Sequence, residues 1–359
     1  MKTVLIGVGQ AGGKLTRAIA EFDSRMGFGA VLGSLAVNTA KADLQPLPFE
    51  TVLIGQDRVK GHGVGGDNEL GATVMQSDAT EVMSALDGRI TAAAESVFVV
   101  AGLGGGTGSG GAPVLARELK RVYDVPVYGL GILPGRDEGA MYQVNAGRSL
   151  KTFAREADSV LLVDNDAFRS SGESLQGGFD SINEGIARRV GLLLAAGEAI
   201  EGVGESVVDS SEVINTLRSG GIAALGYASA EAAPEAEENI NTVTSVTRRA
   251  LLTGMSLPNT TDADSALLVI AGRPDVIPRK GVESARRWVE ETTGSLQVRG
   301  GDFPLQSDRL ASLILLGGVE RSSRIEAFME RARQASVETE EVNEDPAEVW
   351  ANDQLEDLM

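Results

Sequence analysis

Five short apolar runs rich in β-branched residues recur through the first half of the chain, separated by stretches of helical period. The runs are KTVLIGV, VLGSLAVN, SVFVVAGL, PVYGLGIL and SVLLVDND. Hydrophobicity that is nearly continuous, not alternating, marks strands covered on both faces, as in parallel sheets. The intervening GGKLTRAIAEFDSR and GGAPVLARELKRVY place apolar residues three and four apart and read as crossover helices. Strands joined this way form a doubly wound, Rossmann-like α/β domain, here residues 1–175, that holds ligands at the carboxyl ends of its strands.

At 359 residues the chain has room for a second domain. SINEGIARRVGLLLAAGEAI sets Ile182, Ile186, Val190 and Leu193 on one side of a long central helix, read as a spacer over 176–205. Three helical stretches and three strand-like runs then indicate a smaller α+β domain over 206–335. From 336 to 359 the chain is acidic, contains Pro346 and shows little periodicity, so a flexible solvated tail is expected. Trp350 and Leu355 are its anchors if the tail binds a partner.

Charge and composition remove several function classes. With 51 acidic against 32 basic residues the net charge is −19, which disfavours nucleic acid and suits a surface adapted to concentrated salt. Cysteine is absent, excluding disulfides, thiolate metal sites and thiol nucleophiles. No apolar run approaches the roughly 18 residues of a membrane span, and the apolar start breaks at Gly7, too soon for an export signal. A cytoplasmic protein without a transmembrane segment is expected.

Glycine concentrates where the α/β domain needs it for ligands. In AGLGGGTGSGGAPVLARELK, seven of the ten residues from Gly102 to Gly111 are glycine, between a strand and a helix expected to begin near Ala112 or Pro113. Converging backbone N–H groups and the positive end of a helix make such a turn a phosphate cradle. It is not a Walker loop, since Ala112 and Pro113 follow Gly111 where Lys and Ser/Thr would be needed. Gly7, Gly9 and Gly12 form a second such turn, and KGHGVGGDNELGA, with the sole histidine His62, a third. Three glycine turns in one domain point to a nucleoside triphosphate. A nicotinamide cofactor is the weaker alternative, because the second strand ends in Asn38 and Thr39 where a ribose-binding acid would stand.

GGGTGSG resembles the signature of the tubulin/FtsZ superfamily of polymerising GTPases, and GVGQAGGK, AVNTAKADL and KGHGVGGDNELG before it, with PGRDEG and DND after it, stand in an order that resembles that superfamily's. The likeness extends to about residue 330 and is greatest to the archaeal CetZ branch. It implies that Gly9, Gln10, Ala11, Gly12, Gly13 and Lys14 form one phosphate loop and Gly104, Gly105, Gly106, Thr107, Gly108 and Ser109 the other. Asn38 and Gly65 complete the pocket, Glu138 meets the ribose and Asn165 lies near the guanine. Phe179 and Asn183, four apart on the central helix, correspond to the aromatic that stacks on the base and the asparagine that reads its edge.

The resemblance further implies GTP or GDP with Mg²⁺ as cofactors, and catalysis shared between neighbouring subunits. VVDSSEVINTL matches the loop carrying the activating carboxylates, with Asp209 and Glu212 at those positions; the same DSSE pattern also reads simply as a helix cap. Val207 replaces a usual asparagine, and Ala40 a usual aspartate, which leaves Asp67 as an outer-sphere partner for Mg²⁺. The expected function is a cytoskeletal GTPase that assembles head to tail and controls cell shape, with a paralogue or a tail-binding protein as further partners. The alternatives are a cell-division GTPase of FtsZ type, a GTP-binding regulator that does not polymerise, and a nicotinamide oxidoreductase.

Overall fold

The computed structural model describes residues 1–168, 175–196, 208–260, 262–295 and 297–343; the side chains at 175–177, 179, 320–321 and 338–343 lie outside the description. The first half runs β1 (Thr3–Val8), α1 (Gly9–Met26), β2 (Val31–Asn38), α2 (Lys41–Leu44), β3 (Glu50–Leu53), α3 (Gln56–Val59), α4 (Asn68–Ser77), α5 (Ala79–Ala85), β4 (Ser96–Gly102), α6 (Gly106–Val122), β5 (Val127–Leu133), α7 (Ala140–Glu156) and β6 (Ser159–Asp164). The second continues α8 (Leu175–Ala196), α9 (Ser210–Leu217), β7 (Ile222–Glu231), α10 (Ile240–Leu252), β8 (Asp262–Gly272), α11 (Arg279–Thr293), β9 (Gln297–Pro304), β10 (Arg309–Arg321) and α12 (Ser323–Asn343).

All ten strands share one sheet, in the order β3-β2-β1-β4-β5-β6-β7-β10-β8-β9. From β3 to β7 every neighbouring pair is parallel, as the βα alternation demands. Beyond β7 the sheet turns antiparallel, through β10 and β8, and ends on β9, parallel to β8. The two halves of the chain are therefore joined by strand pairing at β7. Neither β3 nor β7 stands out in the sequence: the first has four residues, and IAALGYASAE is diluted by Gly, Ala and Ser.

A buried apolar layer covers each face of the sheet. On one face Ile182, Ile186, Val190 and Leu193 of α8 pack with Leu5, Phe98 and Tyr128, so the apolar side of the central helix is its sheet-facing side. Each such aliphatic side chain contributes roughly 1.5–3 kcal/mol on full burial.

Two boundaries differ from the sequence expectation. Helix α6 begins at Gly106, not at Ala112 or Pro113, because its glycines allow neighbouring backbone to touch it. A Cβ on Gly110 would stand 2.1 Å from Asn68 O, and one on Gly71 of α4 would stand 2.4 Å from Gly106 O. Glycine's helix penalty of about 1 kcal/mol per residue is offset by this contact. Pro113 consequently lies within the helix, and the Ser109 carbonyl it leaves without an N–H donor accepts from the Ser149 hydroxyl at 2.7 Å. Helix α12 likewise runs on to Asn343, through the first part of the stretch read as tail. Extending an existing helix needs only good helix formers, and the glutamates here supply them.

Candidate functional site

The carboxyl ends of β1 and β4 lead directly into α1 and α6. Neither helix has a side-chain cap at its start or an acidic residue in its first turn, so their leading N–H groups stay free for a ligand. The two turns nest against each other. Gly9 has φ +73° and a Cβ there would lie 2.9 Å from Gly108 N, while one on Gly108 would lie 2.8 Å from Gly102 O. Gly105, in contrast, has open space where a side chain would go, at extended backbone angles of φ −73° and ψ 171°.

Before these turns lies a cavity of about 430 Å³, the size of a small-ligand site. The structure brings Gly9, Gln10, Ala11, Asn38, Gly65, Gly104, Gly105, Gly106, Thr107, Gly108, Glu138 and Asn165 together on its wall. Five other nucleotide-binding candidates lie off the wall. Gly12 and Gly13 are buried inside α1, Lys14 points to solvent from the same helix, and buried Ser109 accepts a hydrogen bond from Asn68 Nδ2 at 2.7 Å. Asn183 is half-buried on α8 and not part of the wall, and the Phe179 side chain and Val207 fall outside the described residues.

Asp43, inside the AVNTAKADL segment, is a wall residue that the sequence did not single out. Asp43 accepts from Gln10 Nε2 at 3.0 Å and from Asn38 Nδ2 at 3.1 Å, fixing both amides at the cavity's edge. It supplies a carboxylate on the wall that Ala40 also lines, whereas Asp67 caps α4 by accepting from Leu70 N and lies off the wall. The third glycine loop folds back onto β2: Gly63 N donates to Thr39 O at 3.1 Å, and Gly61, Gly63, Gly65 and Gly66 all have positive φ. His62 thereby reaches the wall as part of a backbone bridge to Ala40.

Asn145, 5 % exposed on α7, ties two of the glycine loops together. Its Nδ2 donates to Gly66 O at 2.7 Å and to Gly104 O at 3.0 Å. Asn145→Ala leaves both carbonyls without this donor, at a cost of about 2 kcal/mol. Thermal unfolding should show that loss, and calorimetric titration with GTP an affinity reduced about tenfold, the worth of one well-placed hydrogen bond.

Among the described residues on the wall the ionisable ones are Asp43, His62, Glu138 and Tyr142; none is Lys or Arg. An anionic ligand would be held by main-chain N–H groups and two helix N-termini, each worth about half a positive charge. A second hollow, of about 490 Å³, lies at the opposite end of β5 and β6. It faces the carboxyl ends of α6 and α9, whose dipoles disfavour an anion, and is lined by Asp124 and Asp158 as well as by Arg218 and by Lys120, which is paired with Asp158 at 2.7 Å.

Asp209 and Glu212 stand at that opposite end. Asp209 caps α9, accepting from Glu212 N at 3.1 Å and from Ser211 Oγ at 2.5 Å. The Ser211 hydroxyl, with the backbone N–H groups of Glu212 and Ser211, holds the Asp209 carboxyl below its ordinary range despite some burial. Burial, together with the Asp209 charge, pushes Glu212 above its own. Ser210 Oγ donates to Glu95 Oε1 at 2.5 Å, and Glu95 adjoins the first residue of β4. The cavity adjoins the last, Gly102, so the strand's six steps set the carboxylates about 20 Å from the cavity of their own chain.

Residues 2–172 match the GTPase domain of the tubulin/FtsZ family, and residues 172–334 match the tubulin-like CetZ C-terminal domain. The chain is 78% identical to the tubulin-like protein CetZ2 of Haloferax volcanii over the whole of both sequences. A GTPγS-bound protofilament structure of that CetZ2 superposes with a TM-score of 0.92, covering 95% of this chain and 100% of the other. The GDP-bound monomer of CetZ1 from the same organism gives 0.86 at 50% identity, over 94% and 100% of the two chains.

Proposed function

Since the chain belongs to the tubulin/FtsZ family, in its CetZ branch, we propose that GTP fills the glycine-walled cavity and is hydrolysed only when a second copy docks head to tail. One observation carries this reading: the cavity and the Asp209–Glu212 carboxylates occupy opposite ends of the same sheet. One chain holds both halves of a hydrolytic site and cannot join them. A neighbour stacked in the same orientation brings its α9 onto the open mouth of the cavity, and the contact repeats without closing.

In this arrangement the N–H groups of Gly9–Ala11 and Gly104–Gly108 hold the phosphates, Glu138 meets the ribose and Asn165 faces the base. Asn183 and Phe179 belong to the same base-recognition proposal. Glu212 of the docking subunit orients a water and takes its proton as the water attacks the γ-phosphorus, giving GDP and phosphate. Asp209 keeps α9 capped and its carboxylate beside Glu212.

Mg²⁺ fits the wall's chemistry, where two carboxylates meet a polyanion and no side-chain cation answers it. Among the described residues no group of three acidic or histidine side chains could cage a metal. The ion would be held by phosphate oxygens and waters, with Asp43 and Glu138 as the wall carboxylates available to those waters, and would neutralise charge on the phosphates. Among the described helices none is long and apolar enough to cross a membrane, in keeping with a cytoplasmic filament. The CetZ kinship of the C-terminal region favours control of cell shape over division.

Light scattering and phosphate release, followed together in several molar KCl, test the reading. GTP should give both signals, GDP and ATP neither, and turnover per subunit should rise with protein concentration. Turnover that is independent of concentration would refute the shared site.

A further inference from the structure

We propose that Arg324, on the C-terminal helix α12, is a positioning residue for guanine recognition, a proposal that rests on reading the cavity as a GTP site. Arg324 is 4 % exposed and reaches the end of β6, 160 residues away in sequence. Its Nε donates to Asp164 Oδ2 and its Nη2 to Asp164 Oδ1, two bonds onto a carboxylate that is itself 1 % exposed. The same Nη2 donates to Asp166 Oδ2 at 3.0 Å. Asn165, between the two aspartates, lines the cavity. One planar guanidinium thus holds both neighbours of the base-side asparagine, and its fork fixes their direction as well as their distance.

The network extends to the ribose side. Asp166 accepts from the backbone N–H of Arg136 and from its Nε, each at 3.2 Å, and Arg136 stands two residues before Glu138 on the cavity wall. Across the turn, the Arg189 guanidinium of α8 lies 4.5 Å from the centre of the Phe168 ring. The segment from Asp164 to Phe168 is therefore gripped by α12 on one side and by α8 on the other. A buried ion pair is seldom more stabilising than apolar side chains of the same volume. If Arg324 served only to seat α12, a leucine would suffice; a charged fork aimed at the two residues flanking Asn165 serves orientation.

The test is binding of GTP and ATP to full-length wild type, Arg324→Lys and Asp166→Asn, with thermal unfolding as the check on folding. Lysine keeps the charge but cannot make the two-pronged contact. The expected result is a GTP affinity at least about tenfold weaker in Arg324→Lys, the worth of one lost base contact, with ATP binding, which shares the phosphate and ribose contacts but makes no guanine contact, unchanged. A GTP-to-ATP ratio equal to wild type, or an equal loss of both ligands, overturns the proposal. Should Arg324→Lys fail to fold, Asp166→Asn breaks only the outer arm of the network and must narrow the same ratio; an unchanged ratio there overturns the proposal as well. A wild type that binds no GTP refutes the underlying reading of the cavity instead.

Discussion

Glu212→Gln should bind GTP as well as wild type does and lose turnover by about 10²–10⁴-fold, the usual worth of a positioned general base. The amide keeps the shape of α9 and the Asp209 cap, so filaments should still scatter light and should persist longer. Mixing gives the stronger result. A Gly105→Leu subunit with its cavity filled still carries Glu212, while a Glu212→Gln subunit still carries an open cavity. Each is expected to be inactive alone, yet random head-to-tail mixing makes roughly one interface in four complete. Activity recovered by mixing, read as phosphate release, requires a site split between chains; an inert mixture with intact filaments rejects it. The pH profile provides a third reading. Because burial and the Asp209 charge hold Glu212 above its ordinary range, its carboxylate is lost from a higher pH downward. Wild-type turnover should fall on acidification at a pH above that of a free glutamate, and this limb should be missing from whatever activity Glu212→Gln retains.

The glycines of the signature turn should divide sharply on substitution. Gly105→Leu adds a side chain where nothing lies within 4 Å and the backbone angles suit any residue, so thermal stability should hardly change. GTP affinity should fall about 100-fold, the loss of two hydrogen bonds to charged oxygens. Gly110→Ala should do the reverse. Its Cβ would meet Asn68 O at 2.1 Å and Ala72 N at 2.6 Å, both backbone atoms that cannot swing away. Overpacking of this kind costs about 3 kcal/mol and should appear in the unfolding temperature, while folded protein still binds nucleotide. Equal behaviour of the two variants would mean that the turn is one undivided element.

That division was hidden in the sequence, where seven glycines in ten residues read as a single loop. Which glycine meets open space and which meets α4 depends on Asn68 and Gly71, some forty residues earlier. The parallel half of the sheet was legible because β-branched runs buried on both faces leave an unbroken apolar signature. β7 was not, since a strand built of Ala, Gly and Ser takes its stability from β10 beside it. Motif order brought most of the wall together on paper. It also drew in Gly12, Gly13, Lys14 and Ser109, which share the motifs but serve helix packing or face solvent. Asp43 and Asn145 were not singled out for the opposite reason: their partners are side-chain amides at the start of α1 and the end of β2 and carbonyls in two glycine loops, with no spacing to reveal them.

The scarcity of side-chain cations around the cavity bears on how such a protein keeps its ligand in brine. A lysine on a flexible stem draws a phosphate from a distance, and dissolved ions blunt that pull, because at 1 M the screening length shrinks to ~3 Å. Peptide dipoles locked into two helix starts act at contact range, inside the layer that mobile ions can enter. A recess built this way should tolerate changes in ionic strength that would loosen a grip relying on ammonium groups.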